Sequence, residues 1–199
     1  MFELNTPTKG KLLNLEVLSQ KGRAPDENPG SQVKLAFTIG ADLLVMFDGR
    51  IAGVLYEPSN GSQQALEGIQ SLQLTALAKR LGSFRWKYDM VGYELTFDRG
   101  LGDAKSNLVL TDCKLDRWRL TPKDGGSIDV VVIAESSDTS AATFGQLAKL
   151  KSCEVSFTLT AAEVAQGDLG AAPAPARKTA KPKANDATSE FIERNTRPH

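Results

Sequence analysis

Histidine is almost missing from this chain: the single one, His199, is its last residue. A Ser–His–Asp triad or a histidine-bearing metal site in the body of the protein is therefore excluded. Cysteine is scarce too. Cys113 and Cys153 stand far apart with no CxxC, which is not the spacing of a zinc site. There is no GxxxxGK and no GxGxxG. Gly100-Leu101-Gly102 supplies only the first half of the latter and follows a strand as a hairpin loop would. No apolar run reaches the ~18 residues of a membrane span. Met1-Phe2-Glu3-Leu4-Asn5 lacks the basic start and apolar core of a secretion signal. A cytoplasmic protein is expected, with no cofactor, no metal and no membrane partner. In that compartment both thiols stay reduced, and Asn60-Gly61-Ser62 has no role as a glycosylation sequon. Neither sign of charge prevails, with 24 basic and 24 acidic residues, so no global field draws the chain onto nucleic acid or acidic lipid.

What the chain does have is alternation with period two, the mark of half-buried strands. Leu13, Leu15 and Val17 alternate with Asn14 and Glu16. After the Pro- and Gly-rich turn cluster Gly22 to Gly30, Val33, Leu35, Phe37 and Ile39 share a face, with Lys34, Ala36 and Thr38 on the other. Ala41 to Tyr56 has roughly helical spacing broken by Gly49 and Gly53, and predicts a short helix or irregular connector. Pro58 to Ser62 is a loop. Ser71 to Leu74 suits a strand and Ala76 to Arg80 a short helix.

Two hairpins are expected next. In the first, Phe84, Trp86 and Tyr88 lie opposite Tyr93, Leu95 and Phe97, with Lys87 against Glu94 on the other face. In the second, a long strand from Leu108 to Leu120 turns at Pro122 to Gly126. It pairs Leu120 with Ile128, Arg119 with Asp129 and Trp118 with Val130. Val109, Cys113 and Leu115 have one parity and Trp118 and Leu120 the other, so a bulge near Asp116-Arg117 is needed to keep both groups inward. Asp138 to Leu150 reads as a helix capped by Asp138 or Thr139, with Phe144, Leu147 and Leu150 on one face. A last strand turns Cys153, Val155, Phe157 and Leu159 inward.

A composition break follows. Gly170 to Ala184 is rich in Ala, Pro and Lys without a large apolar residue, too little to offset its ordering entropy. The expected organisation is a β-rich domain over residues 1–169 and a flexible tail over 170–199. From Ala171 onward six basic residues face three acidic ones, so the tail is basic and the body acidic. Phe191 and Ile192 stand alone in a polar setting as a candidate docking peptide.

For chemistry, Asp112 and Asp116 are the nearest approach to a paired-carboxylate site, four apart on a strand with Lys114 between. Further acids would have to converge on them, and a solvated face of alternating charge accounts for them more simply. Cys113 has no base nearby, so it reads as a small buried hydrophobe. Basic residues interleaved with aromatics are the stronger signal. Arg85-Trp86-Lys87-Tyr88 and Lys114-Leu115-Asp116-Arg117-Trp118-Arg119 have the composition of single-strand-binding surfaces, where rings stack on bases and cations follow phosphates. Alternation separates the two groups, with the rings in the core and the cations in water. Arg85, Lys87, Lys114, Arg117 and Arg119 are then the candidate nucleic-acid contacts; of these, Arg85, Lys87, Arg117 and Arg119 form a basic strip on one sheet face that Glu94 and Asp129 partly cancel.

Met46-Phe47 with Leu55-Tyr56, Trp86-Lys87-Tyr88 with Gly92-Tyr93, Gly100-Leu101-Gly102, Asp112-Cys113-Lys114, Trp118-Arg119 with Gly125-Gly126, and Glu154-Val155 resemble, over roughly residues 1–160, small proteins encoded by tailed phages and prophages of proteobacteria. The resemblance implies the cytoplasm of a bacterial host. By association with early phage genes, it implies DNA replication, recombination or counter-defence. It carries no functional residues across.

The expected fold is mostly β: an antiparallel sandwich or partly open barrel with one or two short helices. The expected function is non-enzymatic, an accessory to phage DNA metabolism that binds single-stranded DNA or supports recombination. The alternative is a protein-interaction module, such as a counter-defence inhibitor or assembly factor, acting on a host or phage protein. Self-association is open under either.

Overall fold

Strands form here because apolar residues alternate with polar ones, and they close on themselves because each inward face needs cover on every side. The computed structural model describes residues 2–18, 28–59, 72–100 and 106–161. Its strands are β1 (Leu4–Leu18), β2 (Gly30–Gly40), β3 (Tyr56–Pro58), β4 (Leu72–Leu74), β5 (Phe84–Trp86), β6 (Met90–Asp98), β7 (Leu108–Lys123), β8 (Ser127–Ser136) and β9 (Glu154–Ala161). A 3-10 helix (Ala41–Met46) and the helices α1 (Ile51–Leu55), α2 (Ala76–Leu81) and α3 (Ala141–Lys149) complete it. The order β7-β6-β9-β1-β2-β8, with β8 pairing back onto β7, makes a closed six-stranded antiparallel barrel. The fold is therefore mostly β, and closure leaves these six strands without the unpaired edges that invite aggregation.

Inside, Val33, Leu35, Phe37 and Ile39 of β2 are all buried, as their alternation predicts, and so are Val155, Phe157 and Leu159 of β9. Trp118 is fully buried. Its ring stands 5.2 Å from Phe2 and 5.1 Å from Phe47, edge-on to both. Such packing adds about 0.5–1.5 kcal/mol per pair beyond burial itself.

Register shifts let the strands curve and change parity, and three of them decide which side chains face inward. In β1 the register slips between Leu12 and Asn14. Leu12 and Leu15 are buried as a result, while Leu13 is half-buried and Val17 is 55% exposed, against the expected inward set. The bulge expected at Asp116-Arg117 is present, with Arg117 at φ 52° and the register shifting between Asp116 and Arg119. A further one lies between Leu110 and Cys113, with Asp112 at φ 49°. It turns Leu108 and Leu110 inward and leaves Val109 exposed, contrary to expectation. Asp tolerates the left-handed region better than most side chains. At Arg117 the same backbone costs about 1–3 kcal/mol.

The first expected hairpin does not form. β5 pairs with β7, setting Phe84 opposite Leu120, Arg85 opposite Arg119 and Trp86 opposite Trp118. β6 instead lies between β7 and β9. Both arrangements put apolar residues on one face, so local pairing does not separate them. The barrel does, because β6 needs a partner on each edge. Tyr88, expected inward, is 62% exposed. The second hairpin forms two residues out of the expected register, pairing Leu120 with Val130 and Pro122 with Ile128. Faces are preserved by an even shift, but charge partners are not. Asp129 bonds to Lys123 and Thr38 rather than facing Arg119.

The excursion between β2 and β5 is tied to the β7–β8 turn. Tyr56 Oη donates to Ser127 O (2.7 Å), Gly125 N to Leu72 O (3.0 Å) and Ala41 N to Gly126 O (2.8 Å). Gly125 and Gly126 at φ 86° and 74° make that turn possible. These ties bring Phe47 against the barrel. Helix α3 is capped by Ser140, whose Oγ accepts from Thr143 N, not by Asp138 or Thr139; Thr139 is buried against Ser31 Oγ. Cys153, expected inward, is exposed just before β9. Among the described residues no helix is long and apolar enough to cross a membrane. The tail and the Phe191-Ile192 peptide lie outside the described residues.

Trp118→Ala removes the ring on which Phe2 and Phe47 close. We expect a loss of about 3–5 kcal/mol, read as a lower urea midpoint at unchanged slope.

Candidate functional site

The outer face of the barrel inherits its chemistry from the same pairings. Ala36 of β2 is opposite Val131 of β8, Val131 opposite Arg119 of β7, and Arg119 opposite Arg85 of β5. One rung thus runs across four strands and ends in two arginines paired in register. Lys34 belongs to the neighbouring rung, opposite Ile133. The chain leaving β5 forms a wall, and a groove of about 780 Å³ lies along this face. Its apolar lining is Leu13, Val131 and Ile133; its cations are Lys34, Arg85, Lys87, Arg117 and Arg119, with Asp89 the one acid and Trp86 and Tyr88 at the rim.

Five cations against one carboxylate line the groove. Arg117 is already engaged: its Nη2 is 2.8 Å from Glu135 Oε1 and its Nε 3.5 Å from Asp116 Oδ1. Lys34, Arg85, Lys87 and Arg119 have no carboxylate within 4.0 Å among the described residues. Like charges directly opposite across a ladder are unfavourable, on the scale of roughly 0.2–1 kcal/mol. An anion bound between Arg85 and Arg119 reverses that sign.

Of the five cations named from the sequence, four meet here and Lys114 does not. It borders a shallower cleft with Asp112 and Glu135, and its ammonium is 2.9 Å from Asp89 Oδ2 and 3.8 Å from Asp116 Oδ2. The hydrogen bond it donates to Asp89 raises its pKa. Glu94 faces Thr160 and Asp129 is held by Lys123, so neither expected acid neutralises the groove. Lys34 was not among the expected residues. Its outward parity on β2 was readable, but its nearness to Arg119 depends on β8 lying between them.

The rings separate. Trp118 is buried, as alternation requires, whereas Trp86 is half-buried and Tyr88 open. Trp86 stands edge-on to Phe47 at 6.1 Å. It shares an inward-facing rung with Trp118, but on a strand that has a neighbour on one side only, so part of the ring reaches water beside the cations.

Asp112 and Asp116 do not build a carboxylate site. Asp116 is tucked beneath Arg117 and Lys114, and Asp112 stands exposed at the first β7 bulge. Among the described residues no three His, Cys, Asp or Glu side chains gather where one metal ion could be held. Cys113 is fully buried, and burial pushes its thiol pKa up to about 12. Comparison with protein-family models, curated proteins and solved structures gave no match to this chain.

The two thiols differ in a measurable way. At pH 8 an aromatic disulfide reagent should titrate one thiol per chain rapidly, Cys153, and the second only in denaturant, because a buried thiol in a low-dielectric site forms no thiolate. Equal rapid reaction of both thiols contradicts the placement of Cys113.

Proposed function

We propose that this chain binds single-stranded nucleic acid on the outer face of β2, β8, β7 and β5. In this reading it acts without catalysis, as an accessory in phage DNA metabolism, in the cytoplasm of the host cell. The observation that carries the reading is the Arg85–Arg119 rung: two arginines opposite each other in register, without carboxylate partners among the described residues, in a groove that also holds Lys34 and Lys87. Folding alone gives no reason for that arrangement. A phosphate backbone does, since bidentate guanidinium contacts to phosphate oxygens are among the stronger hydrogen bonds a protein makes.

A single strand suits the surface better than a duplex. Four strands at ~4.8 Å spacing make a strip about 14 Å wide, space for a few nucleotides. This matches the lower end of the ~4–16 nucleotides engaged by small β-barrel binding folds. Tyr88, open at the rim, and the exposed part of Trp86 offer ring surface to unstacked bases, which a duplex keeps stacked within itself. Sequence tolerance is expected of the groove itself, because its contacts go to phosphates.

The test is binding of a fluorescent single-stranded 20-mer across a salt series. Four unpaired cations predict a slope of log K against log salt of about −2.8, a loss of roughly 50-fold between 50 and 200 mM. Replacing Arg85 and Arg119 together by Gln should make the slope shallower by about 1.4, with the fold unchanged by circular dichroism. No binding at 50 mM salt and micromolar protein removes this function.

A further inference from the structure

On the other side of Trp86 from the basic groove lies a second crevice, of about 660 Å³. That is within the ~300–1,000 Å³ of small-ligand sites. Its apolar walls are Met46 and Phe47, from the end of the 3-10 helix and the residue after it, and Met90, Val91 and Tyr93 of β6. Trp86, Tyr88 and Asp89 line both this crevice and the groove, so the two cavities share a wall. Tyr88 and Val91 are 62% and 67% exposed, two large apolar side chains left open on this rim. A flat aromatic guest entering here meets the Trp86–Phe47 pair and covers both.

The polarity of the two cavities is opposite. The crevice holds no cation. Its charged groups are Asp48 and Asp89. Asp48 Oδ1 accepts from Arg50 N at 2.7 Å, and Asp89 Oδ2 takes the Lys114 ammonium at 2.9 Å. Each carboxylate keeps its second oxygen without a hydrogen bond or ion pair among the described residues. Phosphate is repelled from such a site, whereas a neutral ring carrying N–H donors is favoured. Single-stranded nucleic acid has both parts, and the shared wall lets one strand place each on its own side.

We propose that the crevice takes one unpaired base bearing an exocyclic amino group (cytosine, adenine or guanine) from a strand whose phosphates lie along Arg85 and Arg119; this rests on the single-strand reading above. The selectivity follows from donor and acceptor count. An ionised carboxylate only accepts. The N4 amino group of cytosine, the N6 amino group of adenine and the N2 amino group of guanine donate to it, while thymine offers only its N3–H, flanked by the O2 and O4 acceptors, which a carboxylate repels. The groove supplies affinity without sequence, and the crevice supplies the preference.

The experiment compares dC6 with dT6 by fluorescence anisotropy at low salt, on the full chain. The wild-type protein is expected to bind dC6 about tenfold more tightly. Asp48→Asn, which still accepts from Arg50 N but presents an amide in place of a carboxylate, should bring the two within about twofold by weakening dC6 and not dT6. Because Asp48 also shapes its turn, Val91→Trp is the second variant. It narrows the mouth from an exposed position and should close the same gap. Equal affinities, or a preference for dT6, with salt-dependent binding intact, overturn the base site and leave the groove standing. Failure of both oligonucleotides to bind overturns the two together.

Discussion

The ladder between β5 and β7 is the contact on which everything else in this molecule turns. β7 carries β8 along one edge and β6 then β5 along the other, so it both closes the barrel and builds the site. Two adjacent rungs of that ladder do different work. Trp86 and Trp118 face inward, where Trp118 gathers Phe2 and Phe47, and Arg85 and Arg119 face outward. A strand's strict alternation converts one register into a core and a charged surface at once, and a slip of one residue destroys both.

The bulges of β7 belong to the same logic. Sixteen residues in one strand cannot follow a small barrel without bending, and each extra residue at Asp112 and Arg117 adds twist while restoring inward parity. The second bulge also decides the charges. It leaves Arg117 turned to Glu135 and Asp116, while Arg119 two residues on faces Val131 and Arg85 with no ion pair to an acid among the described residues. With Asp129 taken by Lys123 and Thr38, the surface is left with positive groups that no carboxylate among the described residues pairs.

Much of this was readable in advance. The inward face of β2, the helix after β8 though not its cap, the short helix at Ala76 and the bulge at Arg117 all follow from local spacing. Four of the five named cations do share one groove. What was not readable depended on partners distant in sequence. Phe84 to Trp86 suits Tyr93 to Phe97 as well as it suits Trp118 to Leu120, and only the need of β6 for two neighbours breaks the tie. Lys34 joins Arg119 because β8 intervenes, and Lys114 leaves the set because Asp89 lies within reach. The Val109 and Leu13 parities failed at bulges whose cause is barrel curvature rather than composition.

A surface that keeps unsatisfied cations opposite one another gives up stability in the absence of its ligand. The direct measurement is the unfolding free energy of Arg119→Gln, without nucleic acid, at low and at high salt. Relief of the Arg85 repulsion should make this variant more stable than the parent by up to about 1 kcal/mol at low salt, with the difference shrinking as salt screens it. A variant that is less stable, by an amount indifferent to salt, would mean that Arg119 serves packing, and the rung would no longer argue for an anionic partner.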